Sequence, residues 1–255
     1  MQYLGGKTRW GRKIAEIVSV WREPGALWID GTCGALNVIR HAAPPRVALD
    51  LCLPLVTLLR AAQGGWQPPE TLTEAQYAWI KKHPDPLHPL TAFAMFGCSF
   101  GGKWGGGYAR SHATTDRRSR EGYCGMVRRS LARKMQDCRD VDILHADVLE
   151  MPNPPRDSIV YLDPPYEGTT AYAGVPPFDH RRFWDKARDL TAAGSLVFVS
   201  EGSGARPPGD WLILHEFHVK GTLAGGTGDY RAERLYVHQS SPMGWAVERG
   251  YRCFV

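Results

Sequence analysis

The string Asp163-Pro164-Pro165-Tyr166, directly behind the apolar run Ile159-Val160-Tyr161-Leu162, combines residue types that can hold an aromatic amine. The Asp163 carboxylate can accept one N–H of an exocyclic amino group and the Pro164 carbonyl the other. Proline lacks an N–H and fixes φ, so the diproline stiffens the turn and aims that carbonyl. Tyr166 can stack on a planar base, a contact worth about 1–3 kcal/mol. The amino nitrogen of adenine or cytosine is a poor nucleophile because its lone pair is delocalised into the ring. Gripping both N–H groups favours the pyramidal form that can react. The implied chemistry is methyl transfer from a sulfonium donor, which needs positioning and charge stabilisation more than a strong base. The plainer alternative is an ordinary strand-to-loop exit.

Such a grip needs a rigid sheet behind it and a donor pocket beside it. Leu27-Trp28-Ile29 reads as a short apolar strand leading to Asp30, and Gly31 and Gly34 allow a tight turn with close approach to a ligand. The spacing departs from Gly-x-Gly-x-x-Gly, so a nicotinamide cofactor is not supported. Arg46-Val47-Ala48-Leu49-Asp50 reads as the next strand, and an acid about 20 residues beyond the first turn is placed to accept from ribose hydroxyls. Its alternative role is a helix cap ahead of Pro54. Asp147, at the end of the short strand from Ile143, is open to the same two readings. Gly5-Gly6-Lys7 precedes a helical stretch at 10–20, so free N–H groups there can face an anion; a solvated tail is the other reading.

These segments, in this order, resemble the Dam-type class of adenine-N6 DNA methyltransferases. Tyr3-Leu4-Gly5-Gly6-Lys7, Ile29-Asp30-Gly31-Thr32-Cys33-Gly34, the acid Asp50 and Asp163-Pro164-Pro165-Tyr166 carry the resemblance, over residues 1 to 60 and 140 to 240. Phe96-Gly97-Cys98-Ser99-Phe100-Gly101-Gly102-Lys103-Trp104 looks like bacteriophage-type members, more loosely. The resemblance implies S-adenosylmethionine as cofactor, held by Tyr3, Gly5, Gly6, Lys7, Asp30, Gly31, Gly34, Asp50, Asp147 and Asp163, with Asp163, Pro164, Pro165 and Tyr166 catalytic. Tyr3 replaces the class's usual tryptophan, keeping a stacking ring and adding a hydroxyl. Three rivals stand beside adenine-N6: cytosine-N4 or an RNA amine, an inactive nucleic-acid-binding relative, and a protein glutamine, for which the resemblance favours Asn over Asp163.

Charge points to the acceptor. Residues 101–140 hold ten Lys or Arg against four acids, +6 within a chain of net +5. A basic block in a near-neutral enzyme is where a phosphate backbone docks, though a solvated helix face is the commoner origin of such runs. The adjoining Trp104-Gly105-Gly106-Gly107-Tyr108 favours nucleic acid. Lys103, Trp104, Tyr108, Arg110, Arg117, Arg118, Arg128 and Arg129 are the expected contacts to double-stranded DNA whose target base is flipped out.

The remaining patterns mostly exclude. Gly97 to Lys103 fits the phosphate-loop spacing, but Trp104 stands where a Ser or Thr must reach magnesium. The six cysteines and nine histidines lack metal-site spacings, so no metal is expected. Ser200 and Ser203 have no nucleophile elbow around them. At 255 residues and 43% hydrophobic the chain can bury one large core, and with 22% charged residues and no long apolar run it reads as cytoplasmic, in a bacterial or phage-infected cell, with no membrane contact and no obligatory protein partner.

Alternating strands and helices predict an open, mostly parallel seven-stranded α/β sheet with helices on both faces, which the resemblance implies is the S-adenosylmethionine-dependent methyltransferase sheet. Strands are expected at 26–30, 46–50, 142–146, 158–163, 195–200, 211–219 and 233–238, the last two antiparallel by resemblance. The catalytic domain is expected over 1–62 and 140–255. Residues 63–139, with helices at 73–83, 89–97 and 119–139, read as an inserted helical target-recognition subdomain.

Overall fold

The computed structural model describes residues 1, 3, 5–110, 117–166, 178–219 and 231–250. Its sheet contains β1 (Trp28–Asp30), β2 (Arg46–Asp50), β3 (Val141–His145), β4 (Ile159–Leu162), β5 (Leu196–Gly202), β6 (Trp211–Val219) and β7 (Arg231–His238). The spatial order is β3-β2-β1-β4-β5-β7-β6. β1 to β5 pair in parallel, and β7 runs antiparallel to both β5 and β6. The open, mostly parallel seven-stranded sheet expected from the sequence is therefore present, with the last two strands antiparallel.

Residue type explains the middle of this order. Every residue of β1 and β4 is buried, as expected where a parallel strand is covered on both faces. Side chains alternate between two layers. Trp28, Ile159, Tyr161 and Phe198 face one apolar cluster; Ile29, Val160, Leu162, Val197 and Val199 face the other. The first layer is covered by α1 (Gly11–Ser19), α2 (Leu53–Gln63) and α7 (Pro242–Glu248), the second by α6 (His180–Ala192). In α6, Asp179 caps the Arg182 N–H at 2.9 Å, and Phe183, Trp184, Ala187 and Leu190 form the buried stripe. Burying side chains of the Phe or Leu kind stabilises by about 1.5–3 kcal/mol each.

Chain direction across the sheet reverses between β1 and β4. From β1 the chain moves outward to β2 and β3, then returns to β4 on the other side and proceeds to β5. Ligands of open α/β sheets lie at the carboxyl ends of the strands flanking such a switch. Here those ends are Asp30 and the residues after Leu162.

The sequence reading and the structure part company in a few places. β4 stops at Leu162, so Asp163 stands one residue past the strand, free of the ladder. The helix expected at 89–97 is split into α4 (Pro89–Ala92) and a π-turn at Phe93–Gly97, where the Cys98 N–H bonds both Phe93 O (3.0 Å) and Ala94 O (3.2 Å). That wide turn leaves Lys103 in a loop rather than at a helix start, which removes the phosphate-loop geometry. Helices α2 and α7 are additional. Each has a proline in its first turn, and Ser241 caps the Gly244 N–H of α7 at 3.1 Å.

Among the described residues of 63–139 lie, besides α4, α3 (Glu74–Lys82), opened by a Thr73–Gln76 capping box, and α5 (Arg117–Asp137), interrupted at Gly122, φ 62°. They share the core of the sheet. Phe93, Phe96, Val127 and Leu131 lie in one cluster with Ile14, Leu55 and Phe198.

Candidate active site

The turn after β1 is built by close approach. A Cβ on Gly31 would stand 2.6 Å from Leu162 Cδ2 and 2.9 Å from Val148 Cγ2, so only glycine fits between β1 and its neighbours. Gly34 has φ 48° and donates its N–H to Asp50 Oδ2 at 2.8 Å. Asp50 also accepts from the Cys52 N–H at 2.8 Å. It therefore ties the glycine turn to the start of α2, where Cys52 rather than Asp50 is the N-cap residue. Asp147 does cap: its carboxylate accepts from the Leu149 N–H at 2.9 Å at the head of a short 3-10 turn, Val148–Glu150.

The two key loops meet. The Asp163 N–H donates to Thr32 Oγ1 at 2.5 Å, and the Gly31 N–H donates to the Tyr161 carbonyl at 2.9 Å. From the N-terminal segment, Lys7 Nζ donates to both Asp163 oxygens, at 2.6 and 2.7 Å. This pair is well buried, with side-chain exposures of 3% and 16%. Lys7 also stands over the Tyr166 ring, 4.8 Å from its centroid, and that ring packs against Gly202 of β5.

A cavity of about 500 Å³ opens where these segments converge, within the range of about 300–1,000 Å³ usual for small-molecule sites. Its wall includes Tyr3, Gly5, Gly6, Lys7, Asp30, Gly31, Gly34, Asp50, Asp147, Asp163, Pro164, Pro165 and Tyr166, so the residues singled out for cofactor and catalysis share one space. Tyr3 packs on Phe96 at 5.0 Å and against the Gly34 backbone.

Electrostatically the cavity is lined by acids. Burial pushes the Asp30 carboxyl well above the usual carboxylate range, and the charges of Asp163 and Asp50 push it further. Asp50 is raised by burial too, offset by the Cys52 and Gly34 N–H groups. Asp163 is raised by burial, with Lys7 and a hydrogen bond from Tyr166 pulling it back. Asp30 Oδ1 is buried with no hydrogen-bond partner among the described residues, an arrangement that favours a ligand donating to it. Crowded carboxylates around an orphaned oxygen suit a ligand with an ammonium and a sulfonium centre, and so S-adenosylmethionine fits the residues present.

Several wall residues escaped the sequence reading. Leu51, directly after Asp50, is 45% exposed at the rim beside Val148, Phe178 and Arg182. Its position after the acid was a usable signal; Phe178, just before α6, and Arg182, in its first turn, offered none. Glu233 of β7 sits in register opposite Gly202, the glycine beneath Tyr166. Its Oε2 is buried without a partner among the described residues, and burial raises its carboxyl.

The expected DNA contacts are dispersed. Lys103 and Trp104 reach the cavity wall, and Trp104 packs edge-on against Phe96 at 4.9 Å. Tyr108 bonds the Leu72 carbonyl at 2.6 Å and packs on Tyr77 at 5.6 Å. Arg110 pairs with Glu74 at 2.5 Å and Arg128 with Glu70 at 3.1 Å, both at the surface. Arg129 is on α5; the side chains of Arg117 and Arg118 lie outside the described residues. Among the described residues no cluster of three His, Cys, Asp or Glu suited to a metal ion is found, and no helix is long and apolar enough to cross a membrane.

No protein-family model matches the chain, and no curated protein matches it. Among solved structures, it is similar to the putative methyltransferase yhhF from Escherichia coli, at 12% identity and a TM-score of 0.36, over 90% of this chain and 83% of that one. It is similar to TrmN from Thermus thermophilus at 14% identity and a TM-score of 0.39, over 89% of this chain and 48% of that one. The 23S rRNA methyltransferase ErmE gives 11% identity and a TM-score of 0.37, over 93% and 72%. With superpositions this loose, the fold rests on strand order and direction, which make it an open α/β sheet with its cavity at the switch between β1 and β4.

Proposed function

We propose that the chain is an S-adenosylmethionine-dependent methyltransferase acting on the N6 amine of an adenine flipped out of double-stranded DNA. The observation that carries the reading is the meeting of the Asp163 turn with the Gly31 turn in one acidic cavity, joined by the Asp163–Thr32 hydrogen bond. When bound, the cofactor supplies a methyl group already activated on a positive sulfur.

The chain's own residues do the rest. Asp163 has two oxygens and roughly four acceptor positions, enough for Lys7 and one amine N–H together. The Pro164 carbonyl takes the second N–H, which localises the nitrogen lone pair. As the N–C bond forms, the amine must lose a proton. A carboxylate raised by burial, as Asp163 is, holds that proton better than an exposed one. Stacking of the base on Tyr166 moves the Lys7 ammonium off the ring and toward the oxygens it already bonds. Base flipping costs a few kcal/mol, recovered by these contacts. Lys103 and Trp104, the part of the 63–139 segment that reaches the cavity wall, would meet the incoming strand.

The test is incubation with unmethylated DNA and methyl-labelled S-adenosylmethionine, digestion to nucleosides and mass spectrometry. N6-methyladenine dependent on Asp163 is expected. N4-methylcytosine, or label entering only RNA, would move the acceptor while keeping the enzyme. Cofactor binding with no methyl transfer to any nucleic acid would leave an inactive relative.

A further inference from the structure

Lys134 is a buried cation that the reaction does not use. It lies on α5 at helical spacing with Val127, Leu131 and Cys138, on the stripe that enters the core, and is 3% exposed. Its ammonium donates to the Ala35 carbonyl and, at 2.6 Å, to Asn37 Oδ1. Ala35 and Asn37 both line the cavity. Neither acceptor is an anion, and Lys134 forms no ion pair among the described residues. An ammonium has three donors, and two are accounted for.

A buried cation without a counter-ion is costly. The groups around it sharpen the imbalance. Arg40 and the Met1 amine add positive charge nearby, the groups that favour its charge are the thiols of Cys33 and Cys138, and Asp137 is already paired with Arg40. Of the other cations on the wall, Lys7 is bound to Asp163 and Arg182 to Glu150, while Lys103 is exposed to solvent. Lys134 also orients the turn: with Oδ1 bound to the ammonium, Asn37 turns Nδ2 toward Gly6, on the cavity side.

We propose that Lys134 supplies the counter-charge for the anionic end of the bound cofactor, a carboxylate subsite at the 35–37 turn in which Asn37 is the donor and Lys134 the positioning cation behind it. This rests on the S-adenosylmethionine reading. The acids Asp30, Asp50 and Asp163 serve the positive centres of that ligand, and its carboxylate requires a cation that they do not provide.

The test is calorimetric titration with S-adenosylmethionine and with its decarboxylated analogue, from pH 6 to 8.5 in buffers of different ionisation enthalpy. Burial lowers Lys134 to about 7, Arg40 contributing, so the free amine is mostly neutral at pH 8. A carboxylate arriving at the turn recharges it. S-adenosylmethionine should therefore take up close to one proton at pH 8, and its affinity should fall about tenfold from pH 6 to pH 8, at tenfold per pK unit. The decarboxylated analogue should show neither effect. Lys134→Gln should remove the uptake and weaken S-adenosylmethionine while leaving the analogue unaffected. Lys134→Arg, which keeps the charge without titrating, should bind with no pH dependence. Equal pH dependence for both ligands, or an uptake that survives Lys134→Gln, overturns the subsite and leaves the cofactor reading intact. Failure of both ligands to bind at any pH overturns the cofactor reading itself.

Discussion

Replacing Lys7 with Met tests the centre of the site, because it removes charge from Asp163 while keeping most of the stem volume. The two groups are bonded at 2.6 and 2.7 Å in a largely buried pair. With charge centres about 4 Å apart and an effective dielectric of about 20, their attraction is about 4 kcal/mol. Losing that attraction displaces the Asp163 carboxyl upward, since the Lys7 charge is what offsets its burial. The sign follows from the mechanism. Asp163 must be ionised to accept the amine, and Lys7 favours the ionised form, so losing Lys7 moves the acidic limb of the kcat/KM profile to higher pH. The assay is methyl transfer to unmethylated DNA across pH 5.5 to 9.5. Lys7→Met should be impaired near neutrality and regain rate toward the alkaline end of that range. A profile lowered in amplitude at every pH with its acidic midpoint unmoved would refute the electrostatic reasoning, leaving Lys7 a purely steric or cofactor-contacting role.

Asp163→Ala should abolish methyl transfer while largely sparing DNA affinity, measured by fluorescence anisotropy; near-normal turnover would remove Asp163 from the chemistry. Gly31→Ala should cost about 1–3 kcal/mol by overpacking against Leu162 and Val148, read as a lowered melting temperature, and an unchanged melt would contradict the close approach. Asp50→Ala leaves the Gly34 and Cys52 N–H groups unsatisfied, at about 1–3 kcal/mol; a stability loss in the ligand-free protein, smaller in Asp50→Asn because its single amide oxygen still accepts from one of the two N–H groups, separates this turn-building role from ribose binding. Neutralising Arg117, Arg118, Arg128 and Arg129 should weaken DNA binding and flatten its salt dependence by about 0.9 for each phosphate that no longer meets a cation. Unchanged affinity and slope would place the docking surface elsewhere.

What the chain disclosed before folding was chemistry at strand ends. The apolar run before Asp163, the acid Asp50 after its strand and the glycines at 31 and 34 are local signals, and the cavity gathers them as expected. Helix faces were harder to read. Lys134 counted toward a basic surface block, yet its spacing with Val127, Leu131 and Cys138 already put it on the buried stripe. The same block shrinks further once Glu70 and Glu74 are seen beside Arg128 and Arg110, because the acids that pair with it lie more than thirty residues away in sequence. Phe178 and Arg182 reach the rim at the start of α6, and Glu233 comes opposite Gly202 by strand register; no local pattern marks them.

On the proposed function, the shared apolar layer beneath the 63–139 segment bears on how such a protein could acquire new target preferences. A helical insertion with a core of its own could be exchanged between relatives as a cassette. This one cannot be lifted out so simply, since Leu131 and Phe93 fill space against α1 and α2, and Lys134 reaches the glycine turn. Diversification is then confined to what projects from the frame: the surface of α5 away from its stripe, and the exposed loop positions Phe100 and Lys103, of which Phe100 is 74% exposed. Libraries aimed at those positions should alter recognition at little expense to folding, whereas wholesale grafts would have to transplant the buried stripe as well.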